Sequence, residues 1–163
     1  MSRTFVGRRN GFTIIEMLIV FAVISIMVAF AVPRARAVKT RSNLRAARDQ
    51  IAIGLASARA SAVQKGQLST FVMNGNVMRV ALGGNGTGMR VLGRRDLYDL
   101  YGATVEVVTG GVSTPSDSLL TYDSRGFVAA GTGDHRYRVT VGGFKDSVCV
   151  SKLGLTLKNG CLP

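Results

Sequence analysis

Tryptophan is absent, histidine occurs once and cysteine twice in the 163 residues. One His and two Cys cannot furnish a four-ligand Cys/His zinc site, and they leave little material for a histidine-based catalytic triad. Aromatic residues total 7%, so a large aromatic-lined pocket is not expected. Acidic residues are scarce as well: nine stand against 21 Lys and Arg, a formal net charge of +12. That balance favours acidic partners such as lipid headgroups, nucleic acid or an acidic protein face, and says nothing about fold. Charged residues make up 18% and hydrophobic ones 47%, which excludes a disordered polyelectrolyte.

The apolar residues concentrate in residues 12–32, FTIIEMLIVFAVISIMVAFAV, whose one charge is Glu16. An α-helix needs about 20 apolar residues to cross the hydrocarbon core, and this run suffices. Both flanks are basic, with Arg3, Arg8 and Arg9 before it and Arg34, Arg36, Lys39, Arg41, Arg45 and Arg48 after it. Charge bias therefore does not choose an orientation. A secretory signal peptide cut after Ala35-Arg36-Ala37 is the ordinary alternative. Against it stand a run longer than the usual apolar core of about 7–15 residues and the carboxylate near its start. A buried membrane carboxylate costs roughly 2.5–3.5 kcal/mol on insertion scales, so Glu16 implies a partner and a function. No Lys or Arg lies three or four residues from it. The compensating charge must be a chain terminus, another subunit or the interface.

Gly11-Phe12-Thr13-Ile14-Ile15-Glu16, heading an apolar run after the short basic leader MSRTFVGRRNG, resembles the signal of type IV prepilins and type II secretion pseudopilins. The resemblance implies cleavage after Gly11 by a membrane-embedded prepilin peptidase and N-methylation of Phe12. It makes Glu16 the class's characteristic carboxylate at mature position five and Pro33 its frequent proline at mature position 22. It also implies a single-pass inner-membrane protein, with residues 1–11 removed, 12–32 in the membrane and the rest in the periplasm. Its partners would be other pilins or pseudopilins in a filament, and no cofactor, metal or catalytic residue is implied.

Past the membrane run, Leu44, Ala47, Ile51, Leu55, Ala58 and Ala62 are spaced 3, 4, 4, 3 and 4, one apolar helical stripe. The spacing predicts one long helix over 12–65, with an amphipathic stem at 33–65 and Gly66 as its stop. Pro33 predicts a kink or local melting. After Gly66 the texture turns to strand: 68–73 and 77–82 flank Asn74-Gly75-Asn76, a hairpin signal. Further candidates are Met89-Arg90-Val91-Leu92 and 104–108, 118–123, 127–130, 137–141, 147–151 and 155–158. Short strands with Gly-rich turns predict an antiparallel, sandwich-like head over 66–163, hence an α+β fold. The loop Gly83–Gly88 lacks the following helix that a phosphate cradle requires.

The stem texture from Leu44 to Gly66, the stretch Leu120 to Phe127 and the closing Val148 to Gly154 are similar to GspH/FimT-like minor pseudopilins and minor pilins. The resemblance implies a structural subunit of a type II secretion pseudopilus or a type IV pilus; the alternative is a DNA receptor for uptake. Receptors of that kind end in a Gly-Arg-x-Arg hairpin, where this chain reads Gly154-Leu155-Thr156-Leu157. Arg94, Arg95, Arg136 and Arg138 are the remaining candidate phosphate contacts. Charge argues for a scaffold: residues 34–65 hold eight basic groups against Asp49, whereas 66–163 hold ten against seven acidic. Cations beside a membrane are drawn to anionic headgroups.

An extracytoplasmic head lets Cys149 and Cys161 oxidise, tying the tail to a strand, with two free thiols as the alternative. In a hairpin centred on Leu153-Gly154, Cys149 would face about Lys158. His135, beside Asp134, reads as an exposed turn residue, and Asp96 and Asp99 beside Arg94 and Arg95 read as a surface charge cluster.

Overall fold

The computed structural model describes residues 12–83, 90–109, 112–114, 118–129 and 135–157. The chain divides into two compact units, residues 1–38 and 39–163. The first is carried by the start of helix α1 (Ile14–Lys65), and every described residue up to Lys39 is exposed. The helical backbone runs unbroken through Pro33, so the predicted local melting does not occur. Proline removes a single N–H from the hydrogen-bond ladder, and the helix continues on both sides of that one omission.

In the second unit α1 buries Leu44, Ala47, Ile51, Leu55, Ala58 and Ala62, the whole predicted stripe, together with Ala52 and Gly54. Gly54 is dictated by proximity: a Cβ there would stand 2.8 Å from Cε2 of Phe71. The helix ends at Gly66, whose φ of 61° suits a residue without a Cβ.

Two antiparallel sheets follow. The four-stranded sheet holds β1 (Ser69–Asn74), β2 (Val77–Leu82), β3 (Arg90–Asp96) and β6 (Ser118–Tyr122) in the order β3-β2-β1-β6. The five-stranded sheet holds β4 (Thr104–Thr109), β5 (Val112–Thr114), β7 (His135–Val141), β8 (Phe144–Val150) and β9 (Thr156–Leu157) in the order β5-β4-β7-β8-β9. Asn74 pairs with Val77, and Gly75 (φ 55°) turns the predicted hairpin. Asn76 then joins the sheets, its Oδ1 accepting from the Val105 amide at 3.0 Å. The α1 stripe and the inward residues of both sheets form one core, including Phe71, Met73, Leu120, Tyr137 and Val148.

The structure departs from the sequence reading at several places. Strand β3 runs to Asp96 instead of ending at Leu92, and a short helix α2 (Leu97–Tyr101) follows it. The predicted strand at 127–130 reduces to one bridge between Val128 and Tyr122. Strand β9 has two residues, and Cys149 faces Leu157, not Lys158, because Ser151 and Gly154 close the turn one residue tighter (Gly154 N–H to Ser151 O, 2.8 Å). His135 is the buried first residue of β7, stacked on Tyr137, not an exposed turn residue. Asp96 and Asp99 do line one surface depression with Arg94 and Arg95, and Asp96 is in addition the N-cap of α2, accepting from the amides of Tyr98 and Asp99.

Candidate assembly site

Gly11 lies outside the described residues. Phe12 and Thr13 precede α1, and Thr13 caps it: its Oγ1 accepts from the Glu16 amide and its carbonyl from the Met17 amide, both at 3.3 Å. Thr13-Ile14-Ile15-Glu16 thus has the spacing of a capping box, a signal the prepilin resemblance alone does not use. Glu16 sits in the first helical turn, where the positive end of the helix dipole favours a carboxylate. Phe12, Ile14, Ile15, Leu18, Phe21, Ile26, Met27 and Phe30 are exposed on all sides of the helix. The Ser25 hydroxyl donates to the Phe21 carbonyl at 2.8 Å, so it adds no unsatisfied donor. Among the described residues α1 is the one helix long and apolar enough to cross a membrane. A helix apolar all round must be covered by lipid or by other helices.

The second half of α1 is gripped by polar contacts along its length. Asn43 donates to the Tyr101 carbonyl at 3.3 Å. Arg48 pairs with Asp146 of β8 at 2.9 Å, both side chains partly buried. Gln50 accepts from Arg95 of β3 at 3.0 Å. Arg59 Nε donates to the Gly126 carbonyl at 3.0 Å. Sequence periodicity found the apolar stripe but not these flanking grips, which carry no spacing signal.

Around the β6 turn, the Phe127 amide, together with the Arg125 side chain and amide, holds the Asp123 carboxyl below its ordinary range. Burial pushes Tyr122 up to about 12 against the opposing pull of Arg59. It raises Tyr137 further, opposed by the bond to Ser118. Among the described residues no three His, Cys, Asp or Glu side chains gather as metal ligands.

The four candidate DNA contacts fall on two sheets. Arg94 and Arg95 are neighbours on β3 and therefore point to opposite faces. Arg136 and Arg138 share the outward face of β7, and Arg138 is paired with Glu106 at 3.3 Å. Cys149 is buried on β8, and Cys161 lies outside the described residues.

Residues 7–32 match the family model described as the prokaryotic N-terminal methylation motif. No curated protein sequence matches the chain. Among solved structures it is similar to the type IV minor pilin FimU of Pseudomonas aeruginosa in two crystal forms. In space group P21 the identity is 16%, covering 74% of this chain and 90% of the crystallised FimU chain, with a TM-score of 0.59. In P65 the identity is again 16%, covering 72% and 93%, with a TM-score of 0.55. The chain thus carries a prokaryotic N-terminal methylation motif at residues 7–32 and, behind it, the fold seen in a type IV minor pilin.

Proposed function

We propose that the chain is a minor structural subunit of a type IV pilus or of the related type II secretion pseudopilus. The observation that carries this reading is the exposed, all-round apolar helix headed by Gly11-Phe12-x-x-x-Glu16. Prepilin peptidase cuts after Gly11 and leaves a methylated amine on Phe12. The subunit waits in the inner membrane through residues 12–32, with the head in the periplasm, and then moves into a filament with other pilins. There the helix exchanges lipid for neighbouring helices, and Glu16 meets the Phe12 amine of an adjacent subunit. That pairing neutralises two charges in an apolar filament core, where either alone would be costly, and sets the axial register. Pro33 lies just past the apolar run, in the stretch where the assembling helix must adapt to its neighbours.

A bridge between Cys149 and Cys161 completes the reading. No free thiol stands among the described residues, and Cys149 faces Leu157, four residues before Cys161. The sheet edge would then be closed by its own tail in an oxidising compartment.

Mass spectrometry of the mature protein tests the reading. The expected N-terminus is methyl-Phe12 with residues 1–11 gone. An intact Met1 in filaments, or a start near Val38, would refute it. Co-purification with pilus or with secretion components separates the two filament types.

A further inference from the structure

The outer face of the four-stranded sheet carries an arginine doublet that makes no ion pair among the described residues. Leu120, Phe71, Met73, Met78 and Val80 point into the core, so their strand neighbours occupy the opposite face. There the register sets Leu119 of β6, Val72 of β1, Arg79 of β2 and Arg94 of β3 in one row across all four strands. Like charges directly opposite on adjacent strands are destabilising. Among the described residues neither arginine has an ion pair. Arg79 is half-buried, and its Nε is fully buried without a hydrogen-bond partner.

The five-stranded sheet supplies an internal contrast. Its outward Arg138 faces Glu106 across the β4–β7 ladder and pairs with it. Edge strands do carry protective cations, which accounts for Arg94 alone. It does not account for Arg79, which lies on an inner strand.

We propose that the Arg79–Arg94 doublet, with Leu119 and Val72 beside it, is a docking surface for an acidic, aliphatic segment of a different protein chain. Two guanidinium groups offer forked donors to carboxylates, and the adjoining Leu119 and Val72 take the aliphatic side chains between them. A nucleic acid would gain from aromatic stacking platforms, but the aromatic residues of these four strands, Phe71 and Tyr122, are both in the core. A second copy of this chain is a poor occupant because its described carboxylates are engaged. Asp49 and Asp146 meet Arg48, Asp123 meets Arg125 and Glu106 meets Arg138, while Asp96 caps α2. Among the described residues only Glu16, in the apolar N-terminal segment, and Asp99 remain. This surface is independent of the N-terminal helix and stands whether or not the chain polymerises.

The test uses the full chain in neutral detergent, with a labelled Leu-Glu repeat peptide and a DNA duplex as probes at low ionic strength. The expected result is salt-sensitive peptide binding, weakened about tenfold or more by Arg79→Gln or Arg94→Gln, the loss expected for a charged hydrogen bond. Lys152→Gln, an exposed cation elsewhere, should leave it unchanged. Arg94→Glu should abolish binding while raising the melting temperature, since it recreates the Arg138–Glu106 arrangement; this variant keeps the test open should Arg79→Gln fold poorly. No peptide binding by the wild type, or binding that survives Arg94→Glu, overturns the proposal. Tighter binding of the duplex, lost in the same variants, overturns it in favour of nucleic acid.

Discussion

The ring of Phe71 meets the ring of Tyr137 edge-on, with centroids 5.6 Å apart and planes at 82°, and this contact joins the two sheets through the middle of the core. Edge-to-face pairs contribute about 0.5–1.5 kcal/mol beyond their buried area. The Tyr137 hydroxyl also shares a hydrogen bond with buried Ser118 of β6 at 3.2 Å. Tyr137 therefore links the sheets by both its ring and its hydroxyl.

Tyr137→Phe keeps the ring pair and strands the Ser118 hydroxyl. The expected loss is about 1–3 kcal/mol, the desolvation cost of an unmade buried bond. Adding Ser118→Ala should recover part of it. Urea unfolding of the full chain in detergent, run as a double-mutant cycle, measures this; purely additive losses would show that the two hydroxyls are not coupled.

Stability should fall in alkali. The folded Tyr122 titrates at about 12 and Tyr137 above its ordinary value, both raised by burial, while unfolded tyrosines lose their proton near 10. Between those values the unfolded chain has released protons that the folded chain still holds, so rising pH favours unfolding. The contribution is complete below about pH 10 and is lost as pH climbs toward about 12 for Tyr122. Thermal melts across that window should show the decline, and Tyr122→Phe should reduce it.

Much of this fold could be read in advance, for physical reasons that also explain the omissions. The stem helix was legible because its stripe repeats over five turns, long enough for a 3.6-residue period to stand out. The β1–β2 hairpin was legible because Gly75 marks its turn. Helix α2 was not, since five residues cannot display a period; it is defined by its ends, Asp96 and Gly102. Strand β3 was read short because an edge strand exposed on both faces, Arg94-Arg95-Asp96, has no alternation to detect. His135 was misplaced because the glycines before it look like an extended loop, while its own alternation with Tyr137, Val139 and Val141 begins at the first residue. At the candidate assembly site the motif was plain, but Thr13's role as a cap needed hydrogen-bond geometry.

Glu16→Ala should leave membrane insertion and cleavage intact, since removing a charge favours entry into lipid, yet co-purification with filaments should drop. Immunoblots of membrane and filament fractions separate the two steps. Reduced membrane abundance as the primary defect would contradict a role in assembly.

Cys149→Ser should destabilise the head. For a loop of about 15 residues the chain-entropy model gives about 3 kcal/mol, and the segment between the two cysteines is of that order. Alkylation of the unreduced protein should label neither cysteine, and reductant should lower the melting temperature by the same amount as the substitution. Two labelled thiols without reductant would remove the bridge.

Asn43, Arg48, Gln50 and Arg59 hold α1 by contacts reaching the α2 end, β8, β3 and the turn after β6. At a rise of 1.5 Å per residue they are spread over about 24 Å of helix axis. A tensile load applied along that axis is met in shear by all four at once, together with the apolar stripe between them. It is not met one contact at a time, as in peeling. The stem is thus built as a lap joint, and single-molecule pulling on its N-terminal end should find a rupture force well above that for pulling the C-terminal hairpin outward.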